Sequence, residues 1–266
     1  MSNTVKLHYQ EFGQKNEPAI VILHGFFASS RNWRAIAKKL SESFHVYVPD
    51  LRNHGQSPHV QEMNYPAMAA DVKSFLMEHK VKKACLLGHS MGGKVAMWAA
   101  LKNPELIDKL IIVDIAPVSY RHSFENIIQA LQNLPLSQIN NRKQADQLLS
   151  ESMPDTNFRQ FLLQNLILKD GEYVWRIDLD VFKKAAPAII AFPDIQNVNA
   201  FSGESLFLVG EKSTHVEKKH HEVIFKLFPN AIIKTIADAG HWLHVEQPEH
   251  FLSILRSFLS EGKGKK

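Results

Sequence analysis

Residues 84–95 read ACLLGHSMGGKV, an apolar run that breaks at a glycine and leads into the helix-like stretch GGKVAMWAALK. Two quite different sites could be built on that break. Gly88, Gly93 and Lys94 match the G-x-x-x-x-G-K spacing of a phosphate-cradling loop between a strand and a helix. The next residue is Val95, however, so the hydroxyl that such a loop offers to Mg²⁺ is missing. The same residues also spell Gly88-His89-Ser90-Met91-Gly92, a G-x-S-x-G turn. A strand that turns sharply into a helix holds the middle serine in strained geometry, with its Oγ above the sheet edge. Glycines are required because a Cβ at either flank would crowd the neighbouring helix or strand. Met91 begins the helix, so its backbone N–H can face a developing negative charge.

Outward from this turn the chain alternates. VKLHYQEF (5–12), AIVILH (19–24), HVYVP (45–49), ACLLGH (84–89) and KLIIVD (109–114) read as strands, with helical spacing over 31–41, 65–79 and 91–102. Continuous apolar strands between amphipathic helices predict an α/β fold with a mostly parallel sheet covered on both faces. The rhythm stops after Pro117. Residues 118–200 are rich in Asn, Gln and Leu, and ENIIQALQNL and QFLLQNLIL read as amphipathic helices. The alternation returns with SLFLVG (205–210), a helix near 216–228, AIIKTIA (231–237) and a last helix over 247–260. The expected organisation is a core of residues 1–117 and 201–266 with a helical insertion, 118–200.

The chain has 266 residues, 45% of them apolar and 22% charged, which is ordinary globular composition. The formal net charge is +4, and the last five residues, GKGKK, hold three lysines. Without that tail, read as solubilising, the balance is close to neutral, so no nucleic-acid partner is expected. The one cysteine, Cys85, excludes an intrachain disulfide and reads as a small core residue. MSNTVKLHYQEFG has no apolar signal core, and no apolar run is long enough to span a bilayer. The expectation is a cytoplasmic protein without stable membrane insertion.

A serine hydroxyl needs a base. Of 14 histidines, His241 in IADAGHWLHVEQP is the candidate, in a loop after the last strand. His220-His221 reads as an exposed helix face. His241 and His244 form H-x-x-H, but no further ligands stand at matching spacing, so no metal is expected. A second oxyanion donor is expected from the turn at His24-Gly25, which can bring the N–H of Phe26 opposite that of Met91. His24 itself reads as structural.

His24-Gly25-Phe26-Phe27, Gly88-His89-Ser90-Met91-Gly92 and Gly240-His241 stand in the order and setting of the α/β-hydrolase superfamily, which nearly the whole chain outside the insertion resembles. Asp50-Leu51-Arg52-Asn53-His54-Gly55-Gln56-Ser57-Pro58 and Met63-Asn64-Tyr65-Pro66-Ala67-Met68 are similar to the YbfF-type esterases. The resemblance implies an α/β-hydrolase fold, a carboxylic-ester hydrolase, a helical cap and an apolar acyl pocket.

Many members of the superfamily place their acid after the next-to-last strand. Here that loop reads VGEKSTHVE, with Ser213 or Thr214 where Asp is sought and Glu211 too early in the turn. Asp114 ends the strand that follows the nucleophile's strand and helix, at the same sheet edge, and could take Nδ1–H of His241. A carboxylate closing so apolar a run is costly unless paired. It reads as the triad acid, with a structural Asp114 or Glu211 as the acid left as alternatives.

The expected activity is hydrolysis of short- to medium-chain acyl esters or thioesters by Ser90, His241 and Asp114 through an acyl-enzyme, with no cofactor and a small-molecule acyl ester or thioester as partner. A C–C bond hydrolase or lyase with the same triad and a slow receptor on this scaffold are the alternatives. Trp175, Phe182, Phe192 and Trp242 are candidate pocket residues, each also readable as local core. The Arg52-Asn53-His54 loop gives no chemistry from sequence.

Overall fold

A computed structural model of the chain describes residues 4–15 and 17–260; the basic tail GKGKK and its reading as a solubilising end lie outside the described residues. In chain order the first half contains β1 (Tyr9–Phe12), β2 (Ala19–Leu23), α1 (Arg34–Leu40), β3 (His45–Pro49), α2 (Tyr65–Glu78), β4 (Ala84–His89), α3 (Met91–Lys102) and β5 (Ile107–Val113). There follow α4 (Glu125–Gln132), α5 (Arg142–Leu149), α6 (Thr156–Leu163), β6 (Leu166–Lys169), β7 (Glu172–Trp175) and α7 (Leu179–Ile190). The chain closes with β8 (Glu204–Gly210), α8 (His221–Leu227), β9 (Ala231–Ile236), α9 (Leu243–Glu246) and α10 (Pro248–Ser260).

Among the described residues, seven strands form one sheet in the order β1-β3-β2-β4-β5-β8-β9. Only β1 is antiparallel to its neighbour. Alternate strand residues point to opposite faces, and the core divides accordingly. Ile20, Ile22, Leu87, Ile111 and Leu206 pack with Ile36 of α1 and Phe251 of α10. Val21, Leu23, Leu86, Ile112 and Phe207 pack on the other side with Val72 of α2, Val95 of α3 and Ile224 of α8. Each fully buried aliphatic side chain contributes roughly 1.5–3 kcal/mol. Burial on both faces explains why these strands read as unbroken apolar runs. Among the described residues no helix is long and apolar enough to cross a membrane.

The segment between β5 and β8 is not purely helical. QFLLQNLIL splits: its first half ends α6, and Leu166–Lys169 pairs antiparallel with Glu172–Trp175. The turn is Asp170-Gly171, both at positive φ (51° and 88°). That is the Asp-Gly signature of a tight hairpin, a signal in the sequence that the helical periodicity obscured.

The end of this segment is tied to the core. The last carbonyls of a helix lack partners in the helix itself. Here Tyr65 Oη donates to Ile189 O at 2.5 Å, and Lys94 Nζ donates to Ile190 O and Ala191 O at 2.7 and 2.8 Å. Both donors come from the helices that flank the G-x-S-x-G turn's side of the sheet.

The Arg52-Asn53-His54 loop is a structural knot. Arg52 is 1% exposed and meets Asp71 of α2 through two bonds, Nε to Oδ2 at 2.6 Å and Nη2 to Oδ1 at 2.8 Å. Asp50 accepts from Ser30 N at 2.6 Å and Gln56 N at 2.9 Å. Gly55 has φ +55°, and a Cβ there would lie 2.2 Å from the Asp50 carboxylate. His54 Nδ1 bonds Arg52 O at 2.9 Å, and its ring packs 4.8 Å from Phe182.

Candidate active site

Strand register brings the candidate residues together. His89 of β4 pairs with Val113 of β5, and Val113 with Leu208 of β8. Ser90 and Asp114 therefore leave adjacent strands at the same level. The ladders continue one step further, with Ser90 N donating to Val113 O at 3.1 Å and Asp114 N to Leu208 O at 2.8 Å.

Ser90 has φ +53° and ψ −120°, a conformation few non-glycine residues adopt. The glycines around it are fixed by contact. A Cβ on Gly88 would lie 2.2 Å from Gly92 O, and one on Gly92 would lie 2.3 Å from Leu23 O. The turn is thus wedged between α3 and β2, and Ser90 is left half-buried on a cavity of about 960 Å³. Met91 is the first residue of α3, so its N–H has no acceptor within the helix.

The His24-Gly25 turn lies against the serine: a Cβ on Gly25 would sit 3.4 Å from Ser90 Cβ. Leu51 N donates to His24 Nε2 at 3.0 Å, so Nδ1 carries the proton and donates to Gly25 O at 2.9 Å. His24 is structural, and through Leu51 it joins this turn to the Arg52 loop. Phe26 follows, its ring stacked on Phe182 at 4.6 Å.

His241 Nδ1 lies 2.7 Å from Asp114 Oδ2. Asp114 is fully buried, at φ +52°, and accepts from Gly210 N at 3.1 Å and Ser213 Oγ at 2.5 Å. Three donors therefore converge on it. Burial pushes its carboxyl up, and the Ser213 and Gly210 donors oppose that shift. Burial, with His122 adding to it, pushes His241 down to about 4, so the imidazole is neutral at pH 7. Glu211 instead accepts from Asp238 N at 2.9 Å, away from His241.

The His241 loop is held from two sides. Glu246 accepts from Gly240 N at 2.6 Å and Trp242 N at 3.0 Å. His89, beside the serine, places Nε2 2.8 Å from His241 O. Burial keeps His89 well below its usual range, so a neutral ring donates that bond. His220, expected on an exposed face, is instead 8% exposed and accepts from Glu217 N at 3.1 Å.

Asp114, His215 and His241 also offer ligand atoms within 4.8 Å of one another, close enough in principle for a cation. The two imidazoles are stacked, 4.0 Å apart and 22° from parallel. A cation would have to lie in the plane of each ring it ligates, and stacked rings share no such point. The arrangement suits a hydrogen-bond network.

Of the candidate pocket residues, Trp242 lines the cavity. Trp175, Phe182 and Phe192 are not among its lining residues. Trp175 donates Nε1–H to Leu131 O at 3.2 Å, Phe182 is fully buried, and Phe192 packs between Tyr65 and Trp98. The walls come from Phe26, Phe27, Tyr120, Phe124, Phe158 and Phe161, with Lys94 also on the surface. Burial lowers Lys94 to about 7. Tyr120 and Phe124 follow Asp114 in the chain by a few residues, which is the sequence signal that could have found them.

Residues 18–248 match a protein family described as alpha/beta hydrolase fold. The sn-1-specific diacylglycerol lipase ABHD11 of Mus musculus is 40% identical over 258 residues, 93% of this chain and 83% of that protein. Esterase YbfF of Escherichia coli (strain K12) is 35% identical over 251 residues, 93% of this chain and 95% of that protein. Among solved structures, a marine microorganism esterase superposes with a TM-score of 0.92 at 36% identity, covering 96% of this chain and all of the other.

Proposed function

We propose, from the premise that this chain belongs to the alpha/beta hydrolase family and is a serine hydrolase of ester bonds, that Ser90, His241 and Asp114 are its catalytic triad. The observation that carries this reading is the 2.7 Å contact between His241 Nδ1 and Asp114, on the cavity that Ser90 also lines. Ser90 Oγ attacks the ester carbonyl while His241 Nε2 takes its proton. The N–H groups of Phe26 and Met91 hold the oxyanion, each such donor being worth roughly 10²–10³ in rate. His241 returns the proton to the leaving alcohol, and water, activated by the same imidazole, releases the acyl group from Ser90. Asp114 holds the Nδ1–H tautomer throughout.

Residues 118–200 act as the cap on a core of 1–117 and 201–266. Asn165 Nδ2 reaches Phe27 O at 2.7 Å, and Phe182 stacks on Phe26, so the cap braces the oxyanion turn. The substrates are short- to medium-chain acyl esters, with thioesters as a second leaving-group class. The aromatic walls favour an acyl chain over a polar one.

The test is treatment of the purified protein with a fluorophosphonate, followed by peptide mass mapping. One adduct per chain, on Ser90, is expected. A folded sample that stays unlabelled, or an adduct elsewhere, would overturn the reading. If esters are not turned over but vinylogous diketones are, the C–C hydrolase alternative replaces it.

The pH profile follows from His241. Only the unprotonated imidazole accepts the serine proton, and burial lowers its pKa from 6.5. The acid limb of kcat/KM should therefore fall below pH 6.5. A midpoint at or above that value would contradict a desolvated base.

A further inference from the structure

The loop after β8 has no carboxylate at the position where an acid is sought, yet it is built around the proposed triad. Ser213 Oγ donates to Asp114 Oδ2 at 2.5 Å. Ser213 Oγ also accepts from His215 N at 3.2 Å and stands 3.2 Å from His215 Nδ1. This turn lays the His215 ring on that of His241, with centroids 4.0 Å apart and planes 22° from parallel. The backbone of His215 is fixed from the other side: Tyr120 Oη donates to His215 O at 2.6 Å and accepts from Ala116 N at 2.9 Å. His215 is thus held between the segment after β5 and the loop after β8, its ring 5.8 Å from that of Tyr120, and it lines the cavity.

We propose that His215 is a positioning residue, a flat aromatic shelf that sets the plane of the His241 ring and keeps water from its bond to Asp114. This inference rests on the triad reading above. A free imidazole rotates about two side-chain torsions, and a small misplacement of a base costs a large factor in rate. Contact with a ring face removes that freedom without adding charge.

The groups around His215 support the neutral state this role needs. It faces His241, Asp114, His122 (6.3 Å between rings), Lys94, Tyr120 (5.8 Å) and His220. Burial, then the His241 charge, pushes His215 down to about 4. At neutral pH the shelf is uncharged, and its π face meets the imidazolium that forms on His241 during turnover. Sheltering works on His241 as well, because burial is the first cause of its lowered pKa.

The experiment measures the rate of Ser90 phosphonylation against pH in the wild type and in His215→Ala, His215→Leu and His215→Phe, with Tm recorded for each. Phe restores a flat ring without nitrogen; Leu restores volume without a flat ring. In Ala and Leu, labelling at pH 7 should slow by about tenfold, as expected for a misplaced base. Their acid midpoint should rise toward the ordinary 6.5. In Phe, the rate should stay within about threefold of wild type, a change worth about 0.6 kcal/mol, and the low midpoint should be kept. A folded Leu variant with wild-type rate and midpoint would overturn the shelf, and so would a Phe variant as slow as Leu. Loss of Tm with no shift in midpoint would mark His215 as packing alone and would also overturn it. A wild-type protein that is not labelled at Ser90 would instead sink the triad reading.

Discussion

Asp114→Asn is expected to lower kcat by about 10⁴ while KM for a small ester changes little. The reason lies in hydrogen-bond polarity. Asp114 Oδ2 accepts from His241 Nδ1 and from Ser213 Oγ. An amide at that position either presents its NH₂ to His241 or turns it toward Gly210 N, which already donates to the other oxygen. In the first case the imidazole is driven into the Nε2–H tautomer and cannot accept the serine proton. In the second, two donors face each other in a buried site, which costs about 1–3 kcal/mol. The variant should still fold, because Asn keeps the shape of Asp, and it should still bind substrate. Steady-state kinetics on a p-nitrophenyl ester checks this, and activity within tenfold of wild type would remove Asp114 from the triad.

Asp71→Ala should cost about 3–5 kcal/mol of stability, the usual penalty for removing one partner of a buried ion pair. Asp71 is fully buried and meets Arg52 through both oxygens. Arg52 keeps the carbonyls of Glu62 and Ala67, at 3.0 and 3.4 Å, but these carry no full charge. The Glu62 carboxylate is 3.8 Å away, on a half-exposed side chain, where an ion pair is worth little. Val5 N also donates to Asp71 at 2.8 Å, so the N-terminal strand region loses an anchor too. Urea unfolding followed by circular dichroism measures the loss. A change below about 1 kcal/mol would show that Arg52 is repaid elsewhere.

The strained G-x-S-x-G turn was legible because its residues are local. Gly88, Ser90 and Gly92 sit within five residues, and the atoms that exclude a Cβ belong to the strand and helix they join or to the next strand. The fold was legible for a related reason: strands buried on both faces must be apolar throughout, and only a parallel sheet under two helical layers buries them so. The place of Asp114 at the sheet edge beside Ser90 was legible because strand order puts the end of β5 next to that of β4, and a lone carboxylate after LIIV demands a partner.

What stayed hidden depends on how distant segments meet. Phe182 and Phe158 look alike in sequence, yet the first is sealed against Phe26 and the second lines the cavity. Only the packing of α6 and α7 against the rest of the fold separates them. Ser213 and His215 carry no motif; their contacts to Asp114 and His241 span 99 and 26 residues of chain. The Arg52 loop read as a tight turn, but its meaning lies in Asp71, nineteen residues on, which the spacing of α2 alone does not mark.

Lys94 and Tyr65 give the carbonyls at the end of α7 the donor partners that α7's own backbone lacks, and Lys94 is one helical turn from Ser90. The 118–200 segment is therefore no interchangeable module. A chimera that grafted a foreign 118–200 segment onto this core would have to deliver carbonyls to the same three places. Otherwise it would strand an amine and a phenol in the floor of the cavity it was meant to reshape. Altering specificity by exchanging this segment would thus require α2 and α3 to be redesigned with it, and point changes at the cavity wall would be the simpler route.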